Sequence, residues 1–322
     1  DDNIFYTEPS PKVLLYINNI IKKVLDSNMY SIQLVGRIKY LLNNNYFNLL
    51  KTLLIKKENI KYPNWKIFVN TFNNYRVTCE YYNNKIKNNL KIYDNVILIP
   101  YRNREKHLSY YLNNTVPLIK KYLPNTKILI IEQENGKSFN RGKLLNIGFL
   151  EYKYKTKYFI TNDVDVNPKK FVIQKVFSIN IEENSILGIL TPSVNTLGGL
   201  IKILNKTIHK INGFPNNIWG WGAEDKLLQE RSNIFEIKKK NLYTKPTSGT
   251  NQNIDNNLFK IFDHNREKIG YKMRNRKYHH FRRLSIKEKK EVINKNGINT
   301  LEYKILEINN IDKLTTIIKV EI

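Results

Sequence analysis

The stretch KYFITNDVDVNP, residues 157–168, indicates the fold of this chain. Its first five residues form a short β-prone run, and two carboxylates, Asp163 and Asp165, follow directly. In an extended chain, side chains two residues apart point the same way, so both carboxylates need a cation or a basic group beside them. The sequence therefore predicts a site for a hard divalent cation after a strand. An Asx-rich turn ended by Pro168 is the alternative.

Two further strands are predicted upstream, and helix-like runs separate the three. NVILIP (95–100) and KILII (127–131) are short β-branched runs, and residues 102–123 and 140–154 have helical patterns. Strands that alternate with helices of this length predict an α/β fold with a mostly parallel central sheet. Ligands of such sheets bind beyond the carboxyl ends of the strands. The residues after each predicted strand are therefore the candidates for chemistry.

Basic and aromatic residues follow the first two strands. Arg102 and Arg104 come directly after the first strand, and Phe139 and Arg141 precede or open the helix after the second. Arginines at a helix start can hold a diphosphate, although helix starts on a protein surface often carry Arg without binding anything. Phe139 either belongs to the core or stacks on a base.

The stretch INGFPNNIWGWGAED, residues 211–225, combines tryptophans, glycines and two adjacent carboxylates. Gly220 and Gly222 flank Trp221, an arrangement that predicts a mobile flap whose indole ring stacks on the apolar face of a sugar. Glu224 and Asp225 are suited to hydrogen-bonding hydroxyls, and one of them to acting as a general base.

Two smaller features add to this candidate site. TPSVNTLGGL (191–200) contains a glycine pair, Gly198 and Gly199, where a ligand or another backbone segment can approach closely. His264 stands among polar and charged residues and is a candidate metal ligand, although a lone His is more often not one.

The composition sets weaker limits. The 322 residues carry 54 Lys and Arg against 28 Asp and Glu, a net charge of +26. This charge favours a polyanionic partner such as nucleic acid, or it reflects a coding bias toward Lys, Asn, Ile and Tyr. The usual nucleic-acid-binding motifs are absent, so no nucleic-acid partner is expected.

Signals for location are few. Cys79 is the only cysteine, so no intrachain disulfide can form; either the compartment is reducing or the fold needs no disulfide. No apolar run approaches the roughly 20 residues of a membrane span, and no signal peptide is evident. These features favour a cytoplasmic setting. The chain starts without Met, however, and a targeting segment can have been removed from a longer polypeptide.

The chain is predicted to have two parts. Residues 1–90 read as a helical accessory region, because runs such as 11–25 place Leu and Ile near one face and no catalytic constellation occurs there. Residues 91–322 form the predicted catalytic domain.

Six ordered blocks within residues 92–322 carry a family resemblance. They are IPYRNR, FNRGKLLNIGF, the Asp-Val-Asp triplet, the glycine pair, INGFPNNIWGWGAED and the late His-x-Arg, followed by the tail NGINTLEYKILEIN (296–309). In this order and spacing they resemble the β-1,4-galactosyltransferase family. The resemblance implies a GT-A-type nucleotide-sugar fold and inverting transfer of galactose or N-acetylgalactosamine from a UDP-sugar to a glycan or glycoconjugate, with a Mn²⁺-like cofactor.

The resemblance also assigns roles to individual positions. It makes Asp165 and His264 metal ligands, Asp163 a donor-sugar contact, and Trp221 the flap residue that closes on the donor. Glu224 then helps to hold the acceptor, and Asp225 is the catalytic base. The remaining positions line the UDP-sugar site: Arg102, Arg104, Phe139, Arg141, Thr196 and Gly199.

Three positions depart from the family pattern. Ile261 replaces the usual Met or His ligand and cannot bind a metal, which leaves Asp263 or water as candidates for the third metal ligand. Thr196 replaces a common Tyr and leaves room beside the donor's C2 substituent, which makes UDP-N-acetylgalactosamine a candidate donor. Lys226 replaces an acidic residue, which favours an acidic acceptor. Because of Ile261 and Lys226, an inactive carbohydrate-binding module on the same scaffold is the alternative.

Overall fold

The computed structural model describes residues 92–153, 155–193, 196–244, 256–263 and 270–322. The predicted helical region 1–90 and the predicted metal ligand His264 lie outside these ranges. So does Arg266 of the late His-x-Arg block.

The described residues form ten strands and seven α-helices, with two π-helical turns and one 3-10 turn. The strands are β1 (Tyr93–Tyr101), β2 (Thr126–Gln133), β3 (Thr156–Thr161), β4 (Val166–Pro168), β5 (Ser185–Thr191), β6 (Leu200–Leu204), β7 (Lys238–Thr244), β8 (Phe259–Ile261), β9 (Lys304–Asn310) and β10 (Thr315–Glu321). The α-helices are α1 (Glu105–Tyr110), α2 (Val116–Tyr122), α3 (Arg141–Glu151), α4 (Asn205–Lys210), α5 (Glu224–Ile234), α6 (Tyr271–Arg283) and α7 (Ile286–Asn294). The π-helical turns are Tyr111–Thr115 and Val172–Val176, and the 3-10 turn is Ile298–Thr300.

Eight strands form one sheet in the order β7-β5-β6-β3-β1-β2-β10-β9, and β4 pairs with β8 in a separate two-stranded sheet. The centre of the large sheet is parallel: β1 pairs with β2 and β3, and β2 also pairs with β10. Antiparallel pairs flank this centre, between β3 and β6, β5 and β6, and β9 and β10. The predicted α/β fold with a mostly parallel central sheet is thus confirmed, with antiparallel strands toward both edges.

A separate apolar core covers each face of the sheet. Alternate residues of β1 divide between the two cores, because successive side chains of a strand point to opposite faces. Val96 and Leu98 belong to the core beneath α3, and Ile97 and Ile99 belong to the core that also contains Tyr111 of the π-helical turn. A strand buried on both faces needs an unbroken apolar run, and this explains the sequence NVILIP.

The predicted helix 102–123 is present but interrupted. Helix α1 begins at Glu105, a π-helical turn follows at Tyr111–Thr115, and α2 contains Pro117 in its first turn. Proline has no N–H to donate to the preceding turn, and a widened turn before it accommodates that loss. Arg102 and Arg104 therefore lie in the loop before the helix, at the carboxyl end of β1.

The loops after β1, β2 and β3 meet at one edge of the sheet, since these three strands run parallel and adjacent. This edge carries the predicted basic, aromatic and acidic residues. Across the described ranges, every helix is too short or too polar to cross a lipid bilayer.

Candidate active site

Arg141, the first residue of α3, joins a carboxylate in the loop after β3 to a carboxylate in the first turn of α5. Its Nε donates to Asp163 Oδ1 at 2.6 Å, and its Nη1 donates to Asp225 Oδ1 at 3.0 Å. Its third nitrogen, Nη2, donates to the carbonyl of Gly199 at 3.2 Å. The guanidinium is a planar fork of donors, and here that fork fixes three groups at once.

The carboxylates determine the charge state of Arg141. Burial alone lowers the pKa of this guanidinium, but the charges of Asp163, Asp225 and Glu224 outweigh burial, so the pKa is raised above its ordinary value. The Arg141 side chain is 11% exposed, and Asp163 and Asp225 are 22% and 20% exposed. The three groups are thus partly shielded from water, which strengthens their attraction while leaving the carboxylates open on one side.

The glycine pair explains how Asp225 fits against the sheet. A Cβ built at Gly198 would lie 1.9 Å from Cγ of Asp225. The next residue, Gly199, has a φ of +65°, and its carbonyl also accepts a hydrogen bond from Thr161 Oγ1 at 2.8 Å. The sequence predicts that a ligand or another backbone segment approaches the glycine pair; in the structure the group that approaches is instead the Asp225 side chain.

Glu224 lies beside Asp225 in the first turn of α5 and is buried, with 6% of its surface exposed. Burial raises the pKa of this carboxyl; the charge of Arg141 and the backbone N–H groups of Glu224 and Gly222 act in the opposite direction. Its Oε2 has no hydrogen-bond partner among the described residues. A buried carboxylate oxygen without a partner is costly and is suited to receiving a hydroxyl from a ligand.

Asp165 lies deeper than Asp163, with 4% of its surface exposed. Its Oδ1 lies 3.9 Å from Nη1 of Arg104. The backbone N–H of Phe262 donates to the carbonyl of Asp165 at 2.9 Å, and Val166 pairs with Ile261 between β4 and β8. This pairing brings the chain that leads toward His264 alongside Asp165.

Ile261 and Asp263 differ in their exposure to solvent. Ile261 is the last residue of β8 and packs against the core that contains Phe259. Asp263 is exposed. No group of three or more His, Cys, Asp or Glu that could hold a metal occurs within the described ranges, which omit His264. A carboxylate and an imidazole from this segment would nevertheless suit a Mn²⁺-like ion.

Arg102 and Phe139 meet across the carboxyl ends of β1 and β2. The guanidinium of Arg102 lies over the Phe139 ring at 5.4 Å, and its Nη1 donates to the carbonyl of Lys137. Phe139 is half-buried at the margin of the core. A half-exposed ring beside an arginine can stack on a base while the arginine faces phosphate oxygens.

The segment predicted to be a flap is anchored from below by α6. Arg274 donates from Nη1 to the carbonyl of Trp219 at 2.9 Å and from Nε to that of Trp221 at 2.8 Å. The Trp221 ring stacks on Tyr271 at 5.4 Å and is 39% exposed. Gly222 has a φ of +104°, and a Cβ there would lie 3.0 Å from the Tyr271 ring, so only glycine suits this position.

The flap is also joined to the loop before α3, since the N–H of Gly220 donates to the carbonyl of Phe139 at 2.7 Å. Thr196 lies in the turn before the glycine pair, where its hydroxyl is hydrogen-bonded to that of Ser193. A tyrosine at this position would project much further from the same turn.

Most of the predicted site residues come together at this edge. Arg141, Asp163, Gly199, Glu224 and Asp225 form one cluster; Arg104 and Asp165 adjoin each other, as do Arg102 and Phe139. The sequence interpretation missed Arg274 and Tyr271, which hold the flap. They were missed because they lie on a helix that follows the flap by about 50 residues in the chain. The sequence signal for this helix is Gly270, the glycine before the basic run 271–283.

Comparison with protein families gives two matches. Residues 77–173 match the N-terminal region of glycosyl transferase group 7, and residues 184–242 match a domain described as the N-terminal domain of galactosyltransferase. Together the two matches contain the residues of the Arg141 cluster.

Individual relatives agree with these matches. The chain is 32% identical over 230 residues to β-1,4-galactosyltransferase 1 of Mus musculus, covering 69% of this chain and 53% of the relative. It is 38% identical over 149 residues to β-1,4-galactosyltransferase 4 of Homo sapiens, covering 44% of this chain and 43% of the relative. The chain thus spans about half the length of the curated relatives it matches.

Among solved structures, the catalytic domain of Drosophila β-1,4-galactosyltransferase 7 in complex with xylobiose is similar, with a TM-score of 0.53 at 22% identity. The match covers 72% of this chain and 94% of that chain. A mutant of the same protein, in complex with manganese, UDP-Gal and xylobiose, matches with a TM-score of 0.52. This likeness supports the GT-A-type fold expected from the sequence.

Proposed function

The chain belongs to the β-1,4-galactosyltransferase family, and from this premise we propose that it is a metal-dependent, inverting hexosyltransferase. In this proposal it moves galactose from UDP-galactose to a hydroxyl of a glycan or glycoconjugate. The observation that carries the proposal is the Arg141 cluster, in which Asp225 is held beside a donor-side carboxylate, Asp163, at the carboxyl ends of the central strands.

Asp225 is the proposed general base. Inversion needs a single base on the face of the sugar opposite the leaving group. As the acceptor oxygen attacks C1 of galactose, its proton passes to the Asp225 carboxylate, and the bond from C1 to the UDP oxygen breaks. Arg141 keeps that carboxylate oriented. Glu224, with its unpartnered Oε2, is placed to accept a hydrogen bond from another acceptor hydroxyl.

Asp165 and His264 are the proposed ligands of a Mn²⁺-like ion. When bound, such an ion stabilises the negative charge that develops on the leaving diphosphate. The pairing of Val166 with Ile261 supports this assignment, because it holds residues 261 and 262, which precede His264 in sequence, alongside Asp165. Arg102 and Arg104 face the same charge from the protein side, and Phe139 is the proposed platform for the uracil ring.

Trp221 and its flanking glycines form the proposed closing flap. Closure over the bound donor excludes water, and this limits hydrolysis of the UDP-sugar. The hydrogen bond between the N–H of Gly220 and the carbonyl of Phe139 links the flap to the loop that lines the proposed site for the uracil ring.

Thr196 is the proposed residue that determines which substituent the donor sugar can carry at C2. We expect wild-type protein to accept UDP-N-acetylgalactosamine in addition to UDP-galactose, because the short Thr196 side chain leaves the space open. A screen of UDP-galactose, UDP-N-acetylgalactosamine, UDP-glucose and UDP-N-acetylglucosamine with Mn²⁺ against a panel of glycans, read out as released UDP, tests this. The Thr196→Tyr variant should lose the N-acetylgalactosamine reaction and keep the galactose reaction.

The base assignment is tested by Asp225→Asn. The amide cannot take a proton, so acceptor-stimulated UDP release should fall by about 10²- to 10⁴-fold. Asp94→Asn is the matched control, because Asp94 is an exposed residue at the opposite end of β1. Equal rates for Asp225→Asn and wild type would remove Asp225 from this role. Tight binding of sugars by the wild type without any turnover would support the inactive carbohydrate-binding module instead.

A further inference from the structure

Helix α6, Tyr271–Arg283, is strongly basic along its whole length. Its 13 residues include Lys272, Arg274, Arg276, Lys277, Arg282 and Arg283, and no acidic residue. The helix also contains two histidines, His279 and His280. At pH 7 with neutral histidines, this helix alone carries a charge of +6.

Coding bias does not explain this charge. A bias toward AT-rich codons favours Lys, but α6 is enriched in Arg instead. The chain has 11 arginines in total, and four of them lie within these 13 residues. Arginine binds carboxylate and phosphate oxygens through two parallel hydrogen bonds, which lysine cannot do. The composition of the helix therefore points to recognition of anionic groups.

The basic residues of α6 divide into one that is buried and five that face solvent. Arg274 is buried beneath the flap, whereas Lys272, Arg276, Lys277, Arg282 and Arg283 are exposed. Met273 is 64% exposed on the same helix. The helix therefore presents several cations to solvent from a rigid element.

Helix α6 is attached directly to the flap. Besides the two bonds from Arg274 to flap carbonyls, the Tyr271 ring stacks on Trp221, and Nζ of Lys277 donates to the carbonyl of Asn217 at 3.0 Å. The first residue of the basic helix thus contacts Trp221, the residue that is proposed to close over the sugar.

The same helix also packs against α5, which begins with Glu224 and Asp225. Nζ of Lys226 lies over the Tyr278 ring at 5.3 Å, and the Tyr278 hydroxyl bonds to Glu230 at 3.5 Å. Lys226 directly follows the proposed base in sequence, and its contact with Tyr278 joins the first turn of α5 to α6.

We propose that α6 is a docking surface for an anionic acceptor glycan, one that carries carboxylate or phosphate groups beyond the sugar that receives galactose. This inference rests on the proposed function, because the bound glycan is an acceptor only if the protein transfers galactose. A helix of 13 residues is about 20 Å long, which is enough to contact several sugar units. Charge complementarity identifies the occupant, and the attachment of α6 to the flap places that occupant at the acceptor side.

The test compares two tetrasaccharides of equal length, hyaluronan tetrasaccharide with two carboxylates and neutral chitotetraose. Binding to the full chain, loaded with UDP and Mn²⁺, is measured by calorimetry at low and moderate salt. We expect the anionic probe to bind about tenfold more tightly at low salt and this advantage to shrink as salt screens the charges.

The variant Lys272→Gln, Arg276→Gln, Arg283→Gln removes three exposed charges of α6 without touching the cluster around Arg141. It should lose most of the tenfold advantage and keep its affinity for chitotetraose. The matched control Lys175→Gln, Lys238→Gln, Lys304→Gln removes three exposed charges on other elements and should behave like wild type. Equal thermal midpoints of the two variants verify that both remain folded.

Equal affinity of wild type for the two probes, or an advantage unchanged in the α6 variant, would overturn the proposal. So would α6-dependent binding to vesicles of phosphatidylserine and phosphatidylcholine, or to an oligothymidylate, in the absence of a glycan preference. The calorimetric readout does not require turnover. An anionic preference in a protein that releases no UDP would therefore contradict the proposed function and leave α6 as an anionic-glycan surface.

Discussion

At Arg141 a single guanidinium binds two carboxylates that are about 60 residues apart in the chain. Asp163 follows β3, and Asp225 opens α5, yet both carboxylates accept a hydrogen bond from this one side chain. Removing Arg141 would leave two partly buried carboxylates facing each other, which is costly because like charges at short range repel. The site therefore depends on arginine geometry as much as on charge.

Gly198 leaves the space that the Asp225 carboxylate occupies. In Gly198→Ala the new methyl group would occupy the place of the Asp225 carboxylate, only 1.9 Å from Cγ, so Asp225, the proposed base, must move. A displacement of about 1 Å at a reacting group can cost on the order of 10²-fold in rate. We expect acceptor-stimulated UDP release to fall by at least this factor, while the affinity for UDP, measured by calorimetry, stays within about threefold of wild type.

Ser178→Ala is the control for this substitution, because Ser178 is exposed and its hydroxyl donates locally to the carbonyl of Gln174. It should retain near-normal transfer activity. Normal activity in Gly198→Ala would mean that the position of Asp225 does not matter for turnover.

At the residue scale, the sequence indicated which side chains belong to the site but not how they contact one another. Asp163, Asp165 and Arg141 were predictable because they follow buried strands whose carboxyl ends must meet. The use of Gly198 to admit Asp225 was not predictable, since the contact joins the turn before β6 to the start of a helix that follows it by more than 20 residues.

At the scale of elements, the loop that precedes the flap is shaped by buried asparagines. Asn146 in α3 is fully buried; its Nδ2 donates to the carbonyl of Phe214 at 2.7 Å and to Asn216 Oδ1 at 2.8 Å, and its Oδ1 accepts from the Phe214 N–H at 2.9 Å. One side chain thus replaces the backbone pairing that this irregular loop cannot make for itself.

We therefore predict that Asn146→Leu lowers the free energy of unfolding by about 2–4 kcal/mol, because it leaves buried groups of the loop without partners. Urea denaturation of the two proteins measures the difference. Asn113→Leu is the control, since the bond from Asn113 to Ser109 is long and exposed, and it should change stability by less than about 0.5 kcal/mol. A neutral effect of Asn146→Leu would mean that water satisfies the loop.

Elements were predictable where the pattern is local and less so where it is not. The predicted strands 95–100, 127–131 and 157–161 correspond to β1, β2 and β3, and the predicted helix 140–154 to α3. The flanking strands were not predicted, and β9 has mostly exposed residues that give no buried-strand pattern. The π-helical turn was also missed, because it depends on how Pro117 is accommodated.

At the scale of the whole molecule, stability should depend on pH through His209 in α4. Burial lowers the pKa of His209 to about 4, Lys153 acts in the same direction, and a bond to the Phe149 backbone opposes them. The folded protein then binds fewer protons than the unfolded chain between about pH 4 and 6.5, so the stabilisation present above pH 6.5 is lost as the pH falls through this range.

We expect wild type to lose about 1–2 kcal/mol more stability than His209→Gln between pH 7 and pH 5. This loss of stability is at the low end of what the lowered pKa would give, because His209 is partly exposed and solvent reduces the effect. Urea denaturation of both proteins at the two pH values measures it, and the difference between proteins cancels the contributions of other groups. Parallel losses in the two proteins would show that His209 is protonated equally in both states.

The order of strands also has a consequence for synthesis of the chain. Strand β10, starting at Thr315, pairs with β2, which ends at Gln133, so a ribosome adding about 5–20 residues per second makes β10 roughly 10–40 s after β2. During this interval one edge of β2, a strand of buried Ile and Leu, lacks its partner in the nascent chain. Holdase chaperones should therefore associate most strongly with ribosome-bound intermediates that end before residue 315.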